Sequence, residues 1–589
     1  MSHSHTRSIV FGLALPIALT LCAASAAAQS LPGRYFKLME AGIAKVEARF
    51  QAEPSANLKS LEDNRGWRHF PYAILAPAVL YAKEHPQNKH YQDPKMLALA
   101  IKIGDLLTDE DEKGTFEPRG DSDWDTSLWL EAYRVLEKDL GEKRRARWQK
   151  AIERNVALVL PDAEERLDFP WYNTPYIGTS PNHYAQYAGN LLMAGLTFGN
   201  KEWEELGTKI LHRFSTVEQT PDGYWGEHSR QGPTTGYNYI TLSQVALYWE
   251  LTEDPAAMKA LRRSTDFHKY YTFPDGTPVD VINDRNRHWS PSAWAQYAFS
   301  HFPDGRGYAE FLTSFFDPDA LSMSDLGRLS QDALYYHEGP VSQPPIRQER
   351  FSHRMEIPVG IRKTGPWVVV LSGVVDTHSP NNRFYLERQG HIGIFHEKLG
   401  MVITGANSKR QPEIATFSET FGEHEAHTPL STRLQMSDAQ DRLSLGFNTF
   451  WTDLLVPAPS DNEMSFRFVI NGRGRPAKDL RINLQLALTP GETLETGTGR
   501  KITLGSEAIE LSPDDLGGSI RHHGWTMQLD PAASLTWPFY PQNPYTDSPE
   551  MNLQYAVGRL TIPLFLKSRP GHYVRPNEKQ VEIKIQATP

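Results

Sequence analysis

The sequence predicts two structural regimes in one chain, an N-terminal ring of paired α-helices and a C-terminal antiparallel β-sandwich. Two observations predict it. Apolar residues recur at helical spacing up to about residue 340 and alternate with polar ones beyond it. A stretch holding Pro340, Pro344 and Pro345 separates the two patterns within 329–350. The resulting division is a segment 1–28, a helical domain 29–335, a linker 336–350 and a β-domain 351–589. With 589 residues, 39% of them hydrophobic, the chain can bury sizeable cores.

Taken in order, the first 28 residues read as an export signal. Arg7 supplies a positive start, Ile9 to Leu21 is apolar but too short for a normal span, and Ala26-Ala27-Ala28 offers a cleavage site. A periplasmic or secreted protein beginning at Gln29 is expected. The single cysteine, Cys22, lies in that segment, so a cysteine nucleophile, a thiolate metal site and a disulfide framework are excluded from the rest. Against 61 Lys and Arg stand 71 Asp and Glu, a net charge of −10, which argues against nucleic acid as partner. An anionic polymer would need its cationic contacts gathered in one cleft. No later stretch is apolar enough to span a membrane.

Helices are predicted over 32–50, 70–83, 95–107, 125–137, 142–158, 182–198, 202–214, 237–251 and 255–268. Asp254 before Pro255 gives a capped start with proline in the first turn. The long connections 161–181, 215–236 and 272–289 are rich in Trp, Tyr, Gly, Pro and Asp, which suits functional loops. Strands are predicted at 367–371 and 481–488, and at Val581, Ile583 and Ile585 near the end.

The residues able to do chemistry gather at helix starts and the loops before them. Trp171-Tyr172-Asn173 leads to Asn182-His183. Asp222-Gly223 leads through Trp225, Glu227, His228 and Arg230 to Thr234-Thr235-Gly236-Tyr237. A third group holds Arg285, Arg287 and His288. Asn, His, Arg and Tyr together, without an obligatory carboxylate pair, suit β-elimination on a uronic acid. Abstraction of the C5 proton places a second negative charge beside the sugar carboxylate, and Asn and His donors neutralise that carboxylate. A tyrosine with a lowered pKa takes the proton, and the same phenol returns one to the leaving oxygen. Such a reaction needs no cofactor.

Tyr237 and Tyr239 are two residues apart on one helix, about 200° of rotation, so they face different ways. Tyr237 shares a stripe with Thr241, Gln244 and Tyr248, and Tyr239 lies nearer Leu242 and Ala246, so Tyr237 is the expected catalytic phenol and Tyr239 a reserve contact. Arg285, Arg287 and His288 are expected substrate contacts. Trp67, Trp124, Trp171 and Trp225 are candidate platforms for sugar rings. The cluster Asp121, Asp123, Asp125 lacks the pattern of a calcium loop and reads as a helix start. His391, His396, His424 and His427 have no metal-ligand spacing, and no metal is assigned.

These residues resemble the apparatus of the α/α-toroid polysaccharide lyases. The run from Asp222-Gly223 through His228 to Tyr237 is similar to the hyaluronate, chondroitin and xanthan lyases of family 8, in which a DG turn precedes a catalytic histidine and then a catalytic tyrosine. Asn182-His183, with Arg230 seven positions before Tyr237, looks like the alginate lyases of family 5. Glu227-x-Ser229 resembles the heparinase II/III type. The resemblance covers 165–290 in detail. It implies an incomplete (α/α) toroid before the sandwich, Asn182, His183, His228, Arg230 and Tyr237 as catalytic residues, and an anionic, glucuronate-type polysaccharide as substrate. A glycoside hydrolase using Asp121, Asp125 or Glu227, and a non-catalytic glycan-binding protein, are the rival readings.

Overall fold

A computed structural model describes residues 30–62, 66–116, 122–166, 181–226, 232–282, 291–292, 294–374, 390–405, 415–421, 424–472, 478–540, 550–564 and 578–588. Eleven helices of eight residues or more are present among them: α1 (Leu31–Ala52), α2 (Leu75–Ala82), α3 (Pro94–Lys113), α4 (Ser122–Leu136), α5 (Glu142–Ala157), α6 (Pro181–Phe198), α7 (Lys201–Arg213), α8 (Thr235–Thr252), α9 (Pro255–Tyr270), α10 (Pro303–Thr313) and α11 (Met323–Tyr335). Strands take over from Arg350. The architecture is therefore helical and α/α-like first, antiparallel β second, as the two periodicities predict.

Compactness divides the chain into two units, Met1–Leu158 with Phe316–His337, and Val159–Phe315 with Glu338–Pro589. In the first, α11 packs on α1 and α2, and α4 pairs with α5. Gly104 on α3 lies flat against the Trp148 indole, where a Cβ would sit 2.1 Å from the ring. The stretch predicted as one helix over 70–83 begins as a 3-10 turn, Phe70–Ile74, because Pro71 opens it and His69 before it is left-handed (φ 62°). Two helices go beyond the sequence reading, α10 and α11. The signal for α11 is a capping box, Ser322 with Asp325, ahead of the buried stripe Met323, Leu326, Leu329 and Ala333. It carries helix through residues 329–335, ahead of the proline-rich stretch.

In the second unit α6 and α7 form a tight antiparallel pair. Gly199 takes a positive φ of 76° and Asn200 caps α7 by accepting the Trp203 amide at 3.2 Å. Gly207 lets the pair close up, since a Cβ there would lie 2.6 Å from the Ala188 carbonyl oxygen.

The β-region forms an eleven-stranded and a nine-stranded sheet among the described residues. The first runs β1 (Arg350–Arg354), β2 (Val359–Thr364), β3 (Trp367–Ser372), β4 (Ile392–His396), β5 (Gly400–Ile403), then Lys478–Leu486 and Val557–Pro563. The second is centred on Glu463–Gly472 paired with Glu578–Ala587. The sandwich core joins Ile392, Ile394, Leu484 and Ile562 of the first sheet to Phe466, Phe468 and Ile583 of the second. On β4 the alternation leaves residues 393 and 395 on the opposite face. That face packs on the segment after α9: Phe395 stacks on Phe273 at 5.1 Å, and Val281 approaches Gly393.

Candidate active site

A chain of contacts brings several helix ends together at one rim of the second unit. Tyr184, in the first turn of α6, touches Phe214, just past the end of α7, at 5.9 Å between ring centroids. The Phe214 carbonyl accepts the Trp225 indole N–H at 3.0 Å, and the Trp225 amide donates to Asn238 Oδ1, in the first turn of α8, at 2.9 Å. Asn238 Nδ2 in turn donates to His268 Nε2, near the end of α9, at 2.8 Å. The N-termini of α6 and α8 thus lie at the same end, so the two helices run parallel, and α7 and α9 run back against them.

Along the α6–α8 seam, Gln244 Nε2 donates to Gln186 Oε1 at 2.9 Å. Asn182 lies one turn before Gln186, and Tyr237 two turns before Gln244. Tyr237 and Asn182 therefore both lie on the rim side of this bond. Asn182, Gln186 and Asn190 form a buried polar stripe on α6, exposed 0%, 0% and 1%. Asn182 Oδ1 accepts the His183 amide at 2.8 Å. His183 and Tyr237 are half-buried, on the boundary between packed interior and solvent.

Tyr237 and Tyr239 separate as their angular offset predicts. Tyr239 is fully buried, stacks on His268 at 3.8 Å and shares a hydrogen bond with Tyr308 Oη at 2.6 Å. Burial pushes its phenol up to about 12, although the bonds with Tyr308 and Thr272 pull it down. That makes it a poor base. The Asn238 amide cannot flip, because the Trp225 N–H requires the oxygen where it stands. His268 Nε2 is consequently an acceptor and Nδ1 carries the proton. Burial lowers its pKa to about 3, so it stays neutral and serves as a rigid support for the first turn of α8.

The sequence reading weighed His391 only as a metal ligand. His391 precedes β4 on the same face as Gly393 and Phe395, the face that packs on the segment after α9. It is fully buried, and its Nδ1 donates to the Ser372 carbonyl at 2.8 Å. A carbonyl only accepts, so the proton is on Nδ1 and Nε2 keeps its lone pair, with no hydrogen-bond partner among the described residues. Burial lowers its pKa to about 4. The usable signal was the alternation of His391, Gly393 and Phe395 against Ile392 and Ile394, which puts the histidine on the face away from the sandwich core.

Other expected site residues fall differently. Trp225 is 1% exposed with its indole N–H committed to Phe214, so it packs the rim and offers no sugar platform. Tyr239, expected as a substrate contact, is interior for the reasons above. Trp67 is half-buried and stacks on Phe70 at 6.2 Å. Trp124 lies in the first turn of α4, and its side chain is outside the described residues, as are Trp171, His228, Arg230, Arg285, Arg287 and His288. Gly226 and Pro233, which flank 227–231, pair as an antiparallel bridge just ahead of α8. Asp125, a candidate of the hydrolase reading, is buried and bonded to His69 Nδ1 at 3.0 Å. Asp222 accepts the amides of Glu356 at 2.8 Å and Ile357 at 3.4 Å, so the DG turn fastens the rim to the start of the β-region. Among the described residues no helix is long and apolar enough to cross a membrane.

No family model matches the chain, and no curated protein sequence matches it. Among solved structures it is similar to heparinase III (12% identity, TM-score 0.49, covering 91% of this chain and 80% of that one). It is also similar to the Streptomyces coelicolor A3 chondroitin AC lyase in complex with chondroitin sulphate (13%, 0.47, 94% and 79%). A third is a heparan sulfate lyase mutant from Pedobacter heparinus (12%, 0.44, 89% and 76%).

Proposed function

We propose that the protein is an exported polysaccharide lyase that cleaves a uronic-acid polysaccharide of glucuronate type by β-elimination. The observation that carries the reading is the pairing of a half-buried tyrosine with an Asn-His pair, at the same end of two parallel neighbouring helices. Asn182, with His183 or His228, neutralises the C6 carboxylate as charge develops on the enolate. Tyr237 takes the C5 proton and returns one to the departing glycosidic oxygen, a shuttle that suits substrates whose C5 proton and O4 lie on one side of the ring. Arg230 lowers the phenol pKa or holds substrate, and Arg285, Arg287 and His288 bind flanking acidic groups. His391, neutral and with a free Nε2 lone pair, offers a hydrogen-bond acceptor on the sheet side. Export rests on the pattern of Arg7, the apolar run and Ala28.

The test is to incubate the purified protein with hyaluronan, chondroitin, heparan sulfate, alginate and xanthan, following the ultraviolet band of the conjugated enoate and the reducing ends. A growing band supports elimination; reducing ends without the band support hydrolysis; binding with neither supports a glycan-binding protein. Tyr237→Phe is expected to lower kcat by about two to four orders of magnitude, and full turnover by that variant removes the assignment.

A further inference from the structure

The segment after α9 and the turn after β5 meet with little slack. Asp280 is 1% exposed, and its Oδ2 accepts both the Thr404 hydroxyl and the Gly405 amide, the latter at 3.1 Å. The Thr404 amide is itself tied to the Gln485 carbonyl at 2.9 Å. Gly405 lies so close to Val281 that a Cβ on it would be 2.4 Å from the Val281 Cα. On β4, Asp280 Oδ1 is 3.7 Å from the place a Cβ on Gly393 would occupy. His391 is the next side chain on that face, about 7 Å along the strand. One buried carboxyl therefore joins the helix-side segment to the two strand ends that flank the histidine.

Resting on the reading of the site given above, we propose that Asp280 is a positioning residue for the elimination reaction. It holds the segment 271–282 against the face of β4 and β5, and so sets where His391 Nε2 stands relative to the helix ends bearing Asn182 and Tyr237.

Two donors converging on Oδ2 require an acceptor, which an ionised carboxyl, a carboxyl protonated on its other oxygen or an amide oxygen can supply. Burial raises the group to about 6, against the pull of the Thr404 hydroxyl and the backbone amides of Gly405 and Val281. Among the described residues the groups facing it are few. From β4 comes His391, held neutral; from the β5 turn come Thr404 and Gly405, which do not titrate. On its own segment Tyr271 is pushed well above its ordinary range by burial, and Asp275 is exposed and bonded to Thr277. A group raised by burial holds its proton more readily in the anchored state than when solvated, so acid does not loosen the contact.

The test uses the full chain with Asp280→Ala and Asp280→Asn, the second keeping shape and an acceptor oxygen but not the titration. On a uronan that the wild type cleaves, Asp280→Ala should lower kcat about ten- to a hundredfold with KM within about threefold. Asp280→Asn, whose side-chain oxygen can take both donors, should keep kcat within about threefold of the wild type. Hydrogen exchange at Gly405, corrected for intrinsic rate, should quicken about tenfold in Asp280→Ala. Unaltered exchange at Gly405, a change in KM alone, or a kcat in Asp280→Asn as low as in Asp280→Ala overturns the proposal. A wild type that eliminates no uronan fails the functional reading instead, and the Gly405 exchange then decides the anchorage by itself.

Discussion

At Tyr237 and Tyr239 identical chemistry is given different work by two residues of helix. The ring of Tyr239 is closed in by His268, Phe299 and Tyr308, and its phenol is pushed up to about 12. Tyr237 is half-buried at the rim. Tyr239→Phe should therefore retain elimination while losing about 1 kcal/mol of stability with the Tyr308 bond. Asn182→Ala should lower kcat about a hundredfold and move KM much less, because the charge its amide stabilises grows as the enolate forms. Steady-state kinetics and thermal melts of the two variants check this, and the reverse pattern would exchange the roles of the tyrosines. Asn182, His183 and Tyr237 were legible because all three stand at helix starts that local signals mark. Trp225 was misread, since composition near a loop says nothing about which way an indole turns.

Among elements, the α6–α7–α8 array is set by small residues and buried amides more than by apolar bulk. The Asp222–Gly223 turn is the clearest case. As a motif it pointed to catalysis, and in the fold it is a fastener: Asp222 caps the backbone at 356–357, and the Gly223 carbonyl accepts Ser264 Oγ at 2.5 Å. Gly223 has φ 90°, and a Cβ there would lie 2.2 Å from the Arg263 carbonyl oxygen. Gly223→Ala should cost more than about 2 kcal/mol, read as a fall in the thermal midpoint, because strain and clash against backbone both oppose it. A midpoint within a degree of the wild type would show that the turn can relax.

The whole chain carries buried titratable groups whose effects on stability have opposite signs. His391 and His268 have pKa values lowered by burial to about 4 and about 3. Below the ordinary histidine value near 6.5 the unfolded chain binds protons that the folded one refuses, so stability is present above that value and lost as pH falls toward 4. Asp280 and Glu131 are raised by burial, to about 6 and about 7. Their folded forms keep protons that the unfolded chain releases, so they favour folding at acid pH and lose that effect as pH rises through 6 to 7. Between pH 7.5 and 5 the His391 contribution amounts to about 2 kcal/mol. His391→Gln should lose about that much less than the wild type over this interval, measured by denaturant unfolding at both pH values. An equal acid sensitivity would mean that His391 is solvated in the folded protein.

The sequence by itself determined the succession of helices and strands, the junction between them, and the placing of Asn182, His183 and Tyr237 at helix starts. Periodicity, caps and proline act within a few residues, so they can be read along the chain. Only the tertiary structure decided which of the chemically capable side chains are buried and which meet solvent. It sent Trp225 inside and set Asp280 against Thr404 across 124 residues of chain. Burial and facing are sums over contacts distant in sequence, and no local pattern encodes them.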